Sequence, residues 1–132
     1  MRSQRALIDY SLAKRATLLE LFSGRASTMD VCDAHPYLLR AAKYHGEPSE
    51  ANCPVCRKDP LTLVTYVYGD ALKESSGRVH ATEELPRLER EYDEVTVYVV
   101  EVCRNCGWNH LDRSYVIGRA GLPPKRRRAA ER

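Results

Sequence analysis

The chain has 132 residues, of which 43% are hydrophobic and 30% are charged, so it can form one compact domain but not two of ordinary size. Its formal net charge of +3 is unevenly distributed: basic residues are in excess before Gly46 and after Leu122, and acidic residues are in excess between them. No window approaches the roughly 18 consecutive apolar residues of a membrane-spanning helix, and the N-terminus lacks the order of a signal peptide. We therefore expect a cytoplasmic protein that does not enter a membrane.

The N-terminal segment, residues 1–46, is predicted to be helical. Between residues 5 and 22 apolar side chains recur at steps of three or four, which indicates an amphipathic helix. The residues of this predicted apolar stripe are Ile8, Leu12, Ala16, Leu19 and Phe22. Residues 27–30 offer capping groups for a short second helix, and Pro36 can begin a third helix that stops at Gly46.

The second half of the chain has the pattern of an antiparallel sheet. Runs rich in β-branched and aromatic residues predict strands at 61–68 and 95–102, and a shorter run predicts a third strand at 114–117. Residues 69–94 have the character of an insertion that contains a short helix. The apolar residues with which this helix could pack on the sheet are Leu85, Leu88 and Tyr92.

Four of the five cysteines form two C-x-x-C pairs beside these strands: Cys53 with Cys56, and Cys103 with Cys106. Zinc favours four thiolate or imidazole ligands in a tetrahedron, and each C-x-x-C turn presents two sulfurs to one side of the ion. Gly107 supplies the left-handed backbone conformation that often follows such a turn. Because persistent disulfides are rare in the cytoplasm, we predict one structural Zn²⁺ bound by these four cysteines.

Two other chemistries remain open for the four cysteines. A redox dithiol needs a single C-x-x-C at a strand-to-helix junction, whereas here two pairs lie beside strands. An iron–sulfur cluster also takes four thiolates, and the sequence does not separate it from zinc. A zinc ion bound by all four thiolates has no open position for water or substrate, so we expect no catalysis and no small-molecule substrate.

These elements predict an α+β fold, in which N-terminal helices pack beside a zinc ribbon with a three-stranded antiparallel sheet and a helical insertion. The 46 residues between Cys56 and Cys103 exceed the usual separation of about 15 to 20, and the insertion accounts for the excess. The predicted segments are 1–46 (helical), 47–122 (ribbon, with the insertion at 69–94) and 123–132 (a flexible basic tail). Since so small a sheet buries little apolar area, we expect the strand region to unfold without its metal.

Cys32, His35 and His45 could supply part of a second metal site, and Cys32 with His35 could form a nucleophilic pair. A structural interpretation is favoured, in which Cys32 is a small buried residue and His35 caps the following helix. No third orienting group or oxyanion-hole motif accompanies the pair.

Two features indicate a surface for a partner. Trp108 and His110 follow the second cysteine pair, and this aromatic tip either contacts a base or a protein pocket, or simply covers the metal site. The tail contains four consecutive cationic residues that could attract phosphate or an acidic protein surface. These residues are Lys125, Arg126, Arg127 and Arg128.

Three stretches carry a family resemblance: VCDAHPYLLRAA at 31–42, CPVC at 53–56 followed by LVTYVYGD at 63–70, and VVEVCRNCGWNH at 99–110. They resemble a family of small actinobacterial proteins classed only as a domain of unknown function. The resemblance implies that residues 32–36 belong with the ribbon in one integrated unit, and it brings no activity. More distantly, the cysteine pairs are similar to zinc ribbons of transcription and ribosome-associated proteins.

Two hypotheses for function follow. The first is a non-catalytic zinc-ribbon module that associates with nucleic acid, or with a nucleic-acid-associated complex of transcription or translation, through its basic ends and the Trp108 tip. The alternative is a protein-interaction adaptor, in which the acidic insertion docks on a protein and the ribbon serves as a rigid platform.

Overall fold

The computed structural model describes residues 4–121, so the predicted tail, with its run of four basic residues, lies outside the described residues. The helices and strands are, in chain order, β1 (Arg5–Asp9), α1 (Ser11–Phe22), α2 (Thr28–Val31), α3 (Pro36–His45), β2 (Glu47–Asn52), β3 (Pro60–Tyr68), β4 (Arg78–His80), α4 (Leu85–Glu91), β5 (Val95–Val102) and β6 (Asn109–Ile117). Short 3₁₀ segments cover Asp70–Ser75, Thr82–Glu84 and Arg119–Gly121.

All the strands belong to one antiparallel sheet, which confirms the α+β class. The order is β1-β6-β5-β3-β2, and β4 pairs with β3 as well, so within the described part of the chain the sheet has six strands rather than the three predicted. The predictions for β3 and β5 are confirmed, whereas β6 begins at Asn109, five residues before the predicted start at Ser114. Strand β6 therefore starts almost directly after the second cysteine pair.

The additional strands, β1, β2 and β4, lie at the edges of the sheet. Pairing with a neighbouring strand stabilises them more than the strand propensity of their own residues. Strand β1 was predicted as the start of the first helix, but it pairs with β6, with Ile8 opposite Ser114. Strand β2 contains Pro48 and pairs irregularly with β3, as an edge strand tolerates. Strand β4, whose three residues lie inside the predicted insertion, pairs with β3. Backbone hydrogen bonds to a neighbouring strand override weak local propensity at all three edges.

Helix α1 begins at Ser11, and its inward face differs from the predicted stripe. Leu12, Leu19 and Phe22 are 73%, 64% and 59% exposed. Leu18 and Leu21 pack instead against the cluster that contains the cysteines. The helical period was correct, but contacts with the sheet selected a neighbouring face of the helix.

The helix of the insertion packs on the sheet as predicted. Leu85 and Leu88 are buried in a cluster with sheet residues such as Val67 and Val97, and Tyr92 packs against this cluster. A separate cluster joins Ala42 of α3 to sheet residues and leaves the opposite face of that helix exposed. Among residues 4–121, no helix combines the length and apolar character needed to cross a lipid bilayer.

A buried carboxylate connects α1 to the sheet. Glu101 is 3% exposed, and its Oε2 accepts a hydrogen bond of 2.9 Å from Trp108 Nε1. Lys14 Nζ of α1 lies 2.9 Å from Oε1 and 2.7 Å from Oε2 of the same carboxylate. Because α1 has no fully buried residue, this ion pair is a principal attachment of the helix to the sheet.

Replacing Lys14 with Met should destabilise the protein by about 2 kcal/mol, because the buried carboxylate of Glu101 loses its cation. Glu101→Gln should cost less, since it removes the charge and keeps an oxygen that can accept from Trp108. Urea unfolding of the protein measures both effects. Arg15→Met, at an exposed position of the same helix, is the matched control; an equal loss in that variant would contradict this role of Lys14.

Candidate metal centre

Two loops between strands present the four cysteines that the sequence singles out. One loop joins β2 to β3, the other joins β5 to β6, and the two repeat the same turn. In the first, the Arg57 amide donates to the carbonyl of Cys53 at 3.0 Å, and in the second the Gly107 amide donates to the carbonyl of Cys103 at 2.9 Å. Each pair of sulfurs is therefore presented by the same local backbone geometry.

The four sulfur atoms form one cluster. All lie within 4.8 Å of one another. Cys53 Sγ is 3.7 Å from Cys106 Sγ, and Cys56 Sγ is 3.6 Å from Cys103 Sγ. Four sulfurs placed tetrahedrally at 2.3 Å from a zinc ion are about 3.8 Å apart. The donor set and its spacing thus fit a tetrahedral metal, and these four cysteines could bind a metal ion.

Hydrogen bonds to sulfur prepare the cluster for negative charge. The backbone amides of Val55 and Trp108 donate to Cys53 Sγ and Cys106 Sγ, each at 3.4 Å. The Cys106 amide donates to Cys103 Sγ at 3.4 Å. Such bonds stabilise thiolates that bind a metal.

The cysteines differ in how readily they lose a proton. The Lys58 backbone amide and then the Asn105 side chain lower the pKa of Cys56 to about 6. Burial raises the pKa of Cys106 to about 12 and also raises the pKa of Cys53 and Cys103. Without a metal, most of the cluster is thus held as thiols at neutral pH, and an ion must displace their protons.

Both loops use a left-handed backbone conformation directly after the second cysteine. Gly107 has φ 92°, as its position predicted, and Arg57 has φ 60° at the equivalent place. A Cβ on Gly107 would lie 3.0 Å from the carbonyl oxygen of Cys32. Glycine at this position therefore permits both the turn and the close approach of the Cys32 backbone.

Trp108 covers the four-cysteine cluster from within the protein. It is 0% exposed and packs among Cys53, Cys103 and Leu61. Of the two roles that the sequence left open for this residue, the structure has the cover over the cysteines, and the exposed tip is wrong. His110 is partly buried and stacks on Trp108, with ring centroids 5.9 Å apart. The buried acceptor Glu101 is what makes full burial of the indole N–H possible.

The loop before α3 lies against the second cysteine loop, as the family resemblance implied for residues 32–36, although no local sequence pattern indicated the contact. The Ala34 amide donates to the Gly107 carbonyl at 3.0 Å, and Asn109 Nδ2 donates to Asp33 Oδ1 at 3.0 Å. Cys32 Sγ consequently lies 3.6 Å from Cys106 Sγ.

His35 has the predicted structural role. Its Nδ1 accepts a hydrogen bond of 3.1 Å from the Tyr37 amide and caps α3. This atom is engaged by the cap, and Cys32 faces Cys106, so the geometry does not support a nucleophilic pair. Within residues 4–121 the four-cysteine cluster is the one group of three or more potential ligands close enough to share an ion, so Cys32, His35 and His45 form no second site.

Opposite substitutions in the two loops should have opposite effects. Arg57→Gly should stabilise the metal-loaded protein by about 1 kcal/mol, because it relieves a left-handed conformation that disfavours a side chain. Gly107→Ala should cost about 2 kcal/mol, since it adds a Cβ where the conformation is left-handed and space is short. Urea unfolding measures both changes, and a change of the same sign in the two variants would contradict the equivalence of the loops.

Comparison with known proteins identifies the family. The chain is 52% identical over 120 residues to an uncharacterized protein of Mycobacterium bovis and to uncharacterized proteins of two strains of Mycobacterium tuberculosis. Each match covers 89% of this chain and 88% of the relative. No solved structure gives a significant match. The family model that matches covers residues 1–131, which confirms the resemblance seen in the sequence: the chain belongs to the family of unknown function DUF5318.

Proposed function

We propose that this protein is a non-catalytic binding module, in which one structural zinc ion joins the two cysteine loops and an exposed face of α3 binds single-stranded nucleic acid. The observation that carries the binding proposal is the alternation of aromatic and cationic side chains on that face. Support for zinc comes from the spacing of the four sulfurs and from the amide hydrogen bonds to them. A four-thiolate shell has no open position, which supports a structural rather than a catalytic ion.

Helix α3 is capped at its start, packs on the sheet through one face and exposes the other. His35 caps its start and Pro36 occupies its first turn, while Ala42 is buried against the sheet. On the other face, Tyr37 and Tyr44 are 70% and 65% exposed. A rigid helix can hold exposed rings in place without the entropy loss that a loop would incur on binding.

Cationic groups lie over both exposed rings. Arg40 Cζ is 5.6 Å from the centre of the Tyr37 ring, and Lys43 Nζ is 5.2 Å from the centre of the Tyr44 ring. A groove of about 410 Å³ separates this face from β4, and Arg78 contributes a further positive charge to it. The residues that line the groove are Tyr37, Arg40, Ala41, Tyr44, His45, Gly77, Arg78 and Val79, none of them acidic.

This surface has the chemistry of a single-strand binder. Unpaired bases stack on exposed aromatic rings with little dependence on sequence, and cationic side chains follow the phosphates. The tyrosines of this surface replace Trp108 as the proposed stacking residues, because Trp108 is buried. The basic tail at Lys125 to Arg128 follows the described residues and could add phosphate contacts.

For the adaptor hypothesis, the structure favours a protein-binding surface on α1 rather than on the insertion. The apolar residues of the insertion, Leu85 and Leu88, are used in the protein's own core, and deleting residues 69–94 would uncover that core. The exposed side chains Leu12, Leu19 and Phe22 of α1 instead favour a protein contact. If no nucleic acid binds, this apolar stripe becomes the surface to test.

Native mass spectrometry of protein purified without added metal should show one zinc ion per chain. Cys103→Ser should lose it, whereas Cys32→Ser, which alters the fifth cysteine, should keep it. Because protons compete for thiols whose pKa is raised, zinc affinity should fall as the pH is lowered from about 7.5 to about 6 in competition with a chelator. Iron with sulfide, or no metal, would overturn the zinc assignment.

The double variant Arg40→Gln with Lys43→Gln should bind a labelled oligouridine about tenfold more weakly, measured by fluorescence anisotropy. The slope of log affinity against log salt should become shallower by about 1.4, the value for two lost phosphate contacts on a single strand. Tyr44→Leu should also weaken binding, because a stacking ring is lost.

The control is a variant that removes the same charge elsewhere. Arg87→Gln with Arg90→Gln takes two exposed cations from α4, and it should leave affinity and salt slope nearly unchanged. Equal losses in both double variants would indicate a response to net charge alone. Binding that ignores salt and the α3 substitutions would refute the proposed surface.

A further inference from the structure

Cys32 is positioned beside the metal centre without being needed by it. The four cysteines of the two loops complete a tetrahedral shell, yet Cys32 Sγ lies 3.6 Å from Cys106 Sγ. The hydrogen bond from Ala34 to Gly107 and the tight packing of the Cys32 backbone on Gly107 fix this approach. A fifth thiol is therefore held against one ligand by two independent backbone contacts.

We propose that Cys32 and Cys106 form a peroxide-sensitive disulfide that removes one ligand from the metal centre. The disulfide is inferred from the distance between the two sulfurs. The loss of a metal ligand, in contrast, rests on the proposed metal site. Closing the gap between the sulfurs to the length of a disulfide requires a movement of about 1.5 Å. The ion would be left with three cysteine ligands and a weakened hold.

The oxidant is a hydroperoxide, and hydrogen peroxide is the simplest example. One of the two sulfurs attacks a peroxide oxygen, the O–O bond breaks, and a sulfenic acid and one water form. The other sulfur then attacks the sulfenic sulfur, so that the S–S bond forms, the S–O bond breaks, and hydroxide takes up a proton as a second water. The two sulfurs lose two electrons in total, and the peroxide is reduced to two waters. Where Cys106 starts as a metal-bound thiolate, its bond to the ion would break as well, and solvent would supply the proton that the thiolate lacks.

Accessibility favours this pair over the other close pairs. Cys32 and Cys106 are both partly exposed, whereas Cys53 and Cys103 are buried. The other two close pairs, Cys53 with Cys106 and Cys56 with Cys103, each contain a buried member. Cys32 with Cys106 is thus the close pair in which neither residue is buried, which favours its reaction with a small oxidant. Oxidation also spares the other three ligands, so reduction by a thiol can restore the site.

The test uses the full chain loaded with zinc and treated with hydrogen peroxide. Peptide mapping without reduction should find a disulfide between Cys32 and Cys106 as the first product. A metal indicator should report zinc release in step with this bond, and dithiothreitol with added zinc should reverse both. Cys32→Ser should retain one zinc per chain and release it at least about tenfold more slowly under the same treatment.

Several results would overturn the inference. One is a first disulfide that joins two of the four loop cysteines and leaves out Cys32. Another is zinc release from Cys32→Ser at the same rate as from the unaltered protein. A third is loss of zinc from Cys32→Ser before any oxidation, which would make Cys32 a ligand. If the protein carries no metal, the zinc proposal fails separately, and the mapped disulfide still decides this inference. Cys32→Ala repeats the measurement without a hydroxyl and excludes an effect of the serine side chain.

Discussion

The convergence of four cysteine sulfurs is the constraint on which the rest of the structure depends. Cys53 and Cys56 follow β2, and Cys103 and Cys106 follow β5, so an ion bound by all four would link loops that are far apart in sequence. In a chain of 132 residues such a link adds to a limited core. The equivalent left-handed turn at Arg57 and Gly107 makes the two loops similar supports for one ion.

The N-terminal segment is attached to this centre by polar contacts at two places. Lys14 reaches the buried carboxylate of Glu101, which also accepts from the indole covering the sulfurs. The loop at 32–35 reaches the second cysteine loop through the Gly107 carbonyl and through Asn109. Residues beside the four cysteines therefore contact both α1 and the segment that leads into α3. Loss of a ligand there would act on the helix that carries the proposed binding surface.

The exposed faces of α3 and α1 differ in their chemical character. The exposed face of α3 is aromatic and cationic, with Tyr37 and Tyr44 beside Arg40 and Lys43, whereas an exposed stripe on α1 is apolar. The acidic insertion, in contrast, packs its apolar side chains on the sheet. Of the surfaces that the sequence suggested for a partner, the Trp108 tip is excluded, because a side chain within the core cannot meet a base.

The sequence by itself determined the features that depend on local chemistry: the two C-x-x-C turns, strand β5 with its β-branched run, and helix α3 between Pro36 and Gly46. Only the tertiary structure decided which side chains face inward. Strand β1 formed because β6 offered free backbone groups, and Trp108 was buried because Glu101, seven residues earlier, could accept its N–H. The approach of Cys32 to Cys106 likewise comes from the docking of a distant loop, which no local pattern encodes. Periodicity and spacing describe neighbours along the chain, whereas burial and contact depend on neighbours in space.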